Sequence, residues 1–168
     1  TYNLTKTIEE LKKLNADVIV LQEVGANGST KGTCKITDSQ SSKIPQLLGM
    51  NAAYHDRLLI LSKHTISQKK GKKFQDQDSS PTKRVYEKAT IKTADAEFII
   101  YTTHTARFDI DVRQKQIQEL RDVTKKEMLP TIVAGDFNEC SNVPVDLFKD
   151  GFISGVGAFG ATFISAML

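Results

Sequence analysis

Residues 85–103, VYEKATIKTADAEFIIYTT, decide the architecture of this chain. Val85 to Ile91 and Glu97 to Thr103 are both rich in β-branched and aromatic residues, and Thr93-Ala94-Asp95-Ala96 between them reads as a hairpin turn. A link this short joins only antiparallel neighbours, because a parallel pair needs a crossover of a dozen or more residues. The sheet is therefore not purely parallel. Outward from the hairpin, short apolar runs alternate with helical patterns. Val18 to Leu21, Leu58 to Leu61 and Thr131 to Ala134 read as buried strands. Residues 5–15, with Ile8, Leu11 and Leu14 at helical spacing, predict a helix capped by Thr5 or Thr7. Residues 111–127, with Ile117 and Leu120 inward, predict another that Pro130 closes. Shorter helices are expected around Ile44 to Leu48, with Pro45 near the start, and from Asn142 to Lys149. Residues 25–42 read as a loop, residues 67–83 as a polar loop rich in lysine, and the tail from Phe152 as apolar with strand-like pieces. Together these predict an α/β (α+β) layered domain.

Composition narrows the function classes without choosing among them. The 168 residues form one domain's length, and 39% hydrophobic with 26% charged residues is enough to bury a core. No apolar run reaches the ~20 residues of a membrane helix, so the chain reads as soluble, with no compartment indicated. Cys34 and Cys140 are too few for a disulfide scaffold. A net charge of +3 rules out a polyanion-coating protein but leaves room for a local basic site.

The chemistry-bearing residues gather at strand ends. Gln22-Glu23 follows Val18 to Leu21, and Tyr54-His55-Asp56 precedes Leu58 to Leu61. His104 follows Phe98 to Thr103, and Asp136 and Asn138 follow Thr131 to Ala134. Singly, each has an ordinary reading as a turn, a cap or a hydrogen-bonded histidine. Repeated at strand after strand, they describe a site built on loops at the end of a rigid sheet. Carboxylate, amide and imidazole groups suit a hard cation, Mg²⁺ first and Mn²⁺ second. The two cysteines lack the paired spacing of a thiolate site.

Leu21-Gln22-Glu23-Val24, Thr103-His104-Thr105 and Gly135-Asp136-Phe137-Asn138, in this order, resemble the signature of the endonuclease/exonuclease/phosphatase superfamily. Arg113 to Leu120 is similar to the helix between its histidine and Gly-Asp-Phe-Asn blocks, and Ala161-Thr162-Phe163 to its Thr-Phe loop. The resemblance implies a four-layer α/β sandwich with two packed, mostly antiparallel sheets, and metal-assisted phosphoester hydrolysis. It implies that Asn3 and Glu23 hold the metal, that Asp136 orients or deprotonates the attacking water, and that Asn138 positions the phosphate or that water. His104 would contact the scissile phosphate and donate a proton, Asp56 would orient His104, and Arg84 would contact phosphate. A histidine held by a carboxylate is expected to have its pKa raised toward the charged form.

The same resemblance carries an expectation about the ends. Past Phe163 only Ile164, Ser165, Ala166, Met167 and Leu168 remain, so the family's closing Asp strand and Ser-Asp-His block are not met. Residues 1–168 are thus expected to form an endonuclease/exonuclease/phosphatase-like domain without its C-terminal Asp-His strand, with little or no phosphodiesterase activity of its own. The alternative is a catalytically inactive relic that binds nucleic acid or a protein. Among phosphoesters, Glu139-Cys140 after the Gly-Asp-Phe-Asn block counts against inositol phosphates, and Tyr54-His55-Asp56 leans toward the deoxyribonuclease branch. Nucleic acid is therefore favoured over a lipid head group.

Overall fold

A computed structural model of the chain describes residues 4–25, 30–31, 34–35, 40–138, 153–156 and 162–167, with backbone alone at 30–31, 34–35 and beyond 138. The elements run α1 (Leu4–Lys13), β1 (Val18–Leu21), β2 (Thr30–Lys31), β3 (Cys34–Lys35), α2 (Gln40–Leu48), β4 (Asn51–His55) and β5 (Leu58–Ser62). They continue β6 (Thr65–Lys73), β7 (Val85–Lys92), β8 (Glu97–His104), α3 (Ile110–Thr124), β9 (Thr131–Asp136), β10 (Ile153–Val156) and β11 (Thr162–Met167).

Two sheets pack face to face. The smaller has the order β1-β5-β4 and the larger β10-β11-β9-β8-β7-β6, while β2 and β3 form a separate ribbon. Every pairing is antiparallel except β8 with β9, which is parallel and sets His104 beside Asp136. The hairpin of residues 85–103 forms as its sequence predicts, with Lys92 opposite Glu97 and the turn closed by the Thr93 amide donating to the Ala96 carbonyl at 2.9 Å.

Three apolar clusters define four layers. Ile8 of α1 and Ile44 of α2 pack with Leu59 and Leu61 on the outer face of the small sheet. Ala53 and Ile60 meet Ala89, Ile91 and Ile100 between the sheets. Ile117 and Leu120 of α3 cover Tyr86, Ile99, Tyr101 and Val133 on the outer face of the large sheet. The side-chain period of two explains the division along β7 and β8: even and odd positions face opposite layers. β5 is covered on both faces, so all five of its residues are buried and its apolar run is continuous rather than alternating.

Several local expectations are corrected. Much of the supposed lysine loop is β6, a nine-residue edge strand paired along β7. Its solvent-facing positions place no apolar demand on the sequence, and lysines on an edge discourage pairing with other chains. At Gly71 of β6 the His55 ring of β4 occupies the space where a side chain would stand. β4 passes unnoticed in the sequence for a related reason, having only Ala53 fully buried. α2 starts at Gln40, well before Pro45, since Gly25 anchors its first turn: the Gly25 amide donates to Gln40 Oε1 at 2.9 Å and the Ser41 amide to the Gly25 carbonyl at 3.3 Å. Thr5 and Thr7 lie inside α1 rather than capping it, and α3 ends at Thr124. The helix expected from 142 to 149 lies outside the described residues. No helix among the described residues is long and apolar enough to cross a membrane.

Candidate active site

The inter-sheet layer opens at the C-terminal ends of β1, β8 and β9, and the polar strand ends converge there. On β8 and β9 the inward positions are Ile100, Thr102 and then His104, and Ile132, Ala134 and then Asp136. Where the apolar layer stops, the same face continues as an imidazole and a carboxylate. His104 Nε2 stands 3.6 Å from Asp136 Oδ2. Gly135 makes that approach possible, since a Cβ there would collide with the Thr103 backbone.

Gly135-Asp136-Phe137-Asn138 divides its work by alternation. Phe137 is 1% exposed and anchors the turn in the core under α3. Asp136 Oδ1 accepts from the Asn138 amide at 2.9 Å, and the Asn138 side-chain amide donates to the Thr105 carbonyl at 2.7 Å. The Thr105 amide donates back to the Asp136 carbonyl at 3.0 Å, and its hydroxyl to the Phe137 carbonyl at 2.7 Å. The loops after β8 and β9 are thus held as one unit.

Glu23, two residues past β1, has φ of 58°, and the neighbouring Val24 amide donates to the Arg57 carbonyl at 3.0 Å in the β4–β5 turn. Asp56 and Arg57 have φ of 40° and 74°, and Asn138 of 52°. Four of the five non-glycine residues with positive φ among the described residues therefore sit around this opening. Such conformations cost free energy and persist where surrounding bonds determine them. Gln22 adds a cross-sheet bond, Nε2 donating to Thr102 Oγ1 at 3.0 Å.

Burial lowers the pKa of His104 below its usual value, and this outweighs the raising influence of Asp136 and Glu23; Arg84 and Arg57 push it down further. The expectation of a raised pKa is corrected: desolvation of the imidazole and two nearby guanidinium groups prevail over its carboxylate neighbours. The same charges place Arg84, Arg57, Glu23 and Asp136 in one electrostatic neighbourhood with His104. The carboxylate beside the imidazole is that of Asp136, while Asp56 sits exposed in its turn.

Arg84 is buried and already paired: its Nε and Nη2 each lie 3.2 Å from Asp78 Oδ2. Gln77 clamps the Arg84 backbone, accepting from its amide at 2.8 Å and donating to its carbonyl at 2.9 Å. Asp78, Gln77 and Arg57 escape sequence reading. Thr105 leaves a local signal, following the histidine directly. Asn3 lies outside the described residues. Among the described residues no three acidic, histidine or cysteine groups converge on one metal position. Glu23 and Asp136 supply carboxylate oxygens, the donor type for a Mg²⁺ ion held by one or two carboxylates and several waters.

Comparison with known proteins agrees with this arrangement. The model of the Endonuclease/Exonuclease/phosphatase family matches residues 1–148. No curated protein matches in sequence. A functionally unknown conserved protein of Enterococcus faecalis superposes with a TM-score of 0.73 at 12% identity, over 96% of this chain and 77% of its own. The mannosyl-6-phosphatase of Bacteroides thetaiotaomicron gives 0.70 at 13%, over 96% and 75%. The catalytic domain of human Nocturnin, solved with a bound sulfate, gives 0.68 at 18%, over 95% and 72%. At these identities the likeness is one of fold.

Proposed function

The chain belongs to the endonuclease/exonuclease/phosphatase family, and from that premise we propose that it is a Mg²⁺-dependent phosphoesterase acting on nucleic-acid phosphodiesters in preference to lipid head groups or inositol phosphates. The observation that carries this is the meeting of His104 and Asp136 at 3.6 Å on adjacent parallel strands, with Asn138 bonded to the loop after His104.

In this reading Glu23, with Asn3, would hold the cation, which when bound would supply charge neutralisation for the phosphate and the leaving oxygen. Mn²⁺ suits the same oxygen donors. Asp136 aligns the attacking water and takes its proton. Its Oδ1 is fixed by the Asn138 amide, so the carboxylate is already oriented when water arrives. Asn138 keeps its side-chain carbonyl and second N–H for the phosphate or the water. With its pKa lowered, His104 acts as a neutral imidazole that donates one hydrogen bond to a phosphate oxygen. Arg84 and Arg57 add positive charge that favours an anionic substrate, Arg84 as a fixed cation rather than a mobile finger because Asp78 holds it. Asp56 shapes the β4–β5 turn at the rim in this reading.

Hydrolysis of bis(p-nitrophenyl) phosphate with Mg²⁺ tests the reading against the expectation, carried by the resemblance, that residues 1–168 have little or no such activity of their own. Asp136→Asn is expected to reduce turnover ~10²–10⁴-fold, the range for a positioned base. Turnover that is the same in the variant, or that survives a chelator, overturns it.

One observation favours a second reading, a binding module without turnover. Lys69, Lys70, Lys72 and Lys73 line an exposed edge strand, with Lys72 3.2 Å from Glu119. Nucleic-acid affinity that falls steeply with salt, with no hydrolysis, decides for it.

A further inference from the structure

The rim of the site carries an exposed aromatic ring on a rigid base. Thr105 and Ala106, next after His104, are fully buried. The Ala106 amide donates to Gln116 Oε1 at 2.8 Å, and Arg113 Nη1 donates to the carbonyls of Ala106 and Arg107 at 3.2 and 3.1 Å. Asp109 then caps α3, accepting from the Val112 amide at 3.0 Å. Between these fixed points the chain lifts Phe108, 86% exposed, with Ile110 at 57% close by. The Arg107 guanidinium lies 5.0 Å from the centre of the Phe108 ring.

A single exposed apolar side chain is ordinary. Here two of the five large exposed hydrophobics among the described residues, Phe108 and Ile110, fall on the loop that follows the site histidine and on the first residue of α3 that ends it. Phe108 is four positions after His104, so their Cα atoms are at most about 14 Å apart. A ring held on a pre-formed loop loses little freedom when it binds. The guanidinium beside it, and the positive field that Arg84 and Arg57 impose at His104, fit a ligand that is both flat and anionic. Two apolar side chains flanked by Asp109 and Asp111 are a poor membrane anchor by comparison.

We propose that Phe108 is a stacking platform for a nucleobase of single-stranded nucleic acid, the base belonging to a nucleotide near the phosphate held at His104, with Arg107 contacting the adjoining backbone. This rests on the phosphoesterase reading above and names the residue that recognises the substrate beyond its phosphate. Stacking on an aromatic face is tolerant of sequence, so the platform selects for a base without choosing among bases.

The chain contains no tryptophan, so Phe108→Trp places a single, selectively excitable tryptophan at the rim. This variant is titrated, with metal chelated, against oligothymidylate, an abasic oligomer of equal length, and vesicles of phosphatidylcholine and phosphatidylserine. Oligothymidylate is expected to quench the tryptophan, and the abasic oligomer to leave it unchanged. Anisotropy of labelled oligothymidylate is expected to weaken about tenfold in Phe108→Ala, within the ~1–3 kcal/mol of one stacked base at ~1.4 kcal/mol per tenfold. Phe108→Tyr is expected to restore it, and abasic affinity to stay the same throughout. Equal oligothymidylate affinity in wild type and Phe108→Ala, absence of quenching, or a blue shift with vesicles alone overturns the proposal. Neither signal depends on turnover. Base-dependent binding without hydrolysis therefore refutes the hydrolase and not the platform, whereas hydrolysis that is indifferent to Phe108 refutes the platform and not the hydrolase.

Discussion

Glu87 offers the sharpest energetic prediction. It lies on β7 between the two sheets, 2% exposed, opposite Gly71 and in line with Ala89 and Ile91 of the inter-sheet core. Its Oε2 has no hydrogen-bond partner, and neither does His55 Nε2, whose ring covers Gly71. Burial pushes the Glu87 carboxyl up from 4.5 to about 7, with Lys69 pulling weakly the other way. A carboxyl raised in the folded state binds its proton more tightly there than in the unfolded chain. Its penalty is therefore absent below pH ~4.5, grows as pH rises, and is complete above ~7. A shift of this size amounts to roughly 3 kcal/mol, at ~1.4 kcal/mol per pH unit across that window. Glu87→Gln keeps the shape and removes the charge. It is expected to be about 3 kcal/mol more stable than wild type at pH 8 relative to its standing at pH 4.5, or ~6–12 °C in Tm for a chain of this length. Urea unfolding of both proteins from pH 4.5 to 8 measures this. Any constant offset from placing an amide there cancels in the pH dependence. A stability difference that is flat across the range refutes the reasoning, because it would mean that Glu87 ionises in the fold as it does in water.

Gly71→Ala is expected to destabilise by ~1–3 kcal/mol, since the new methyl meets the His55 ring; His55→Ala in the same chain should recover part of that loss, and additive losses in a double-mutant cycle would exclude the contact. Asp78→Asn leaves the buried Arg84 guanidinium without its anion and is expected to cost ~3–5 kcal/mol by chemical denaturation; an unchanged midpoint would mean that Arg84 turns to solvent. Asn138→Ala removes the bond to the Thr105 carbonyl and puts alanine at a left-handed φ, so about 2 kcal/mol of stability should be lost together with activity; Asn138→Gly should recover only the backbone part.

The limits of sequence reading follow from where each signal resides. Strands Val18–Leu21, Leu58–Ser62 and Thr131–Asp136 are legible because both their faces, or the inward one, meet apolar layers and must be written in apolar residues. β6 is not legible, because an edge strand takes its stability from the β7 backbone and spends its side chains on charge. Among candidate site residues, Glu23, His104, Asp136 and Asn138 stand out as polar groups that end apolar runs. Arg57 and Asp78 do not, since their relevance comes from partners far along the chain.

By itself, then, the sequence determined the strands β1, β5, β7, β8 and β9, the helices α1 and α3, the antiparallel hairpin and the order of the polar strand ends, all properties of local pattern. Only the tertiary structure decided that β8 and β9 lie parallel and adjacent, which brings His104 to Asp136, and that Arg84 is held by Asp78. It also reversed the direction of the His104 pKa. The reason is physical: a pKa reflects burial and the sum of all nearby charges, and neither is a property of the residues adjacent in sequence.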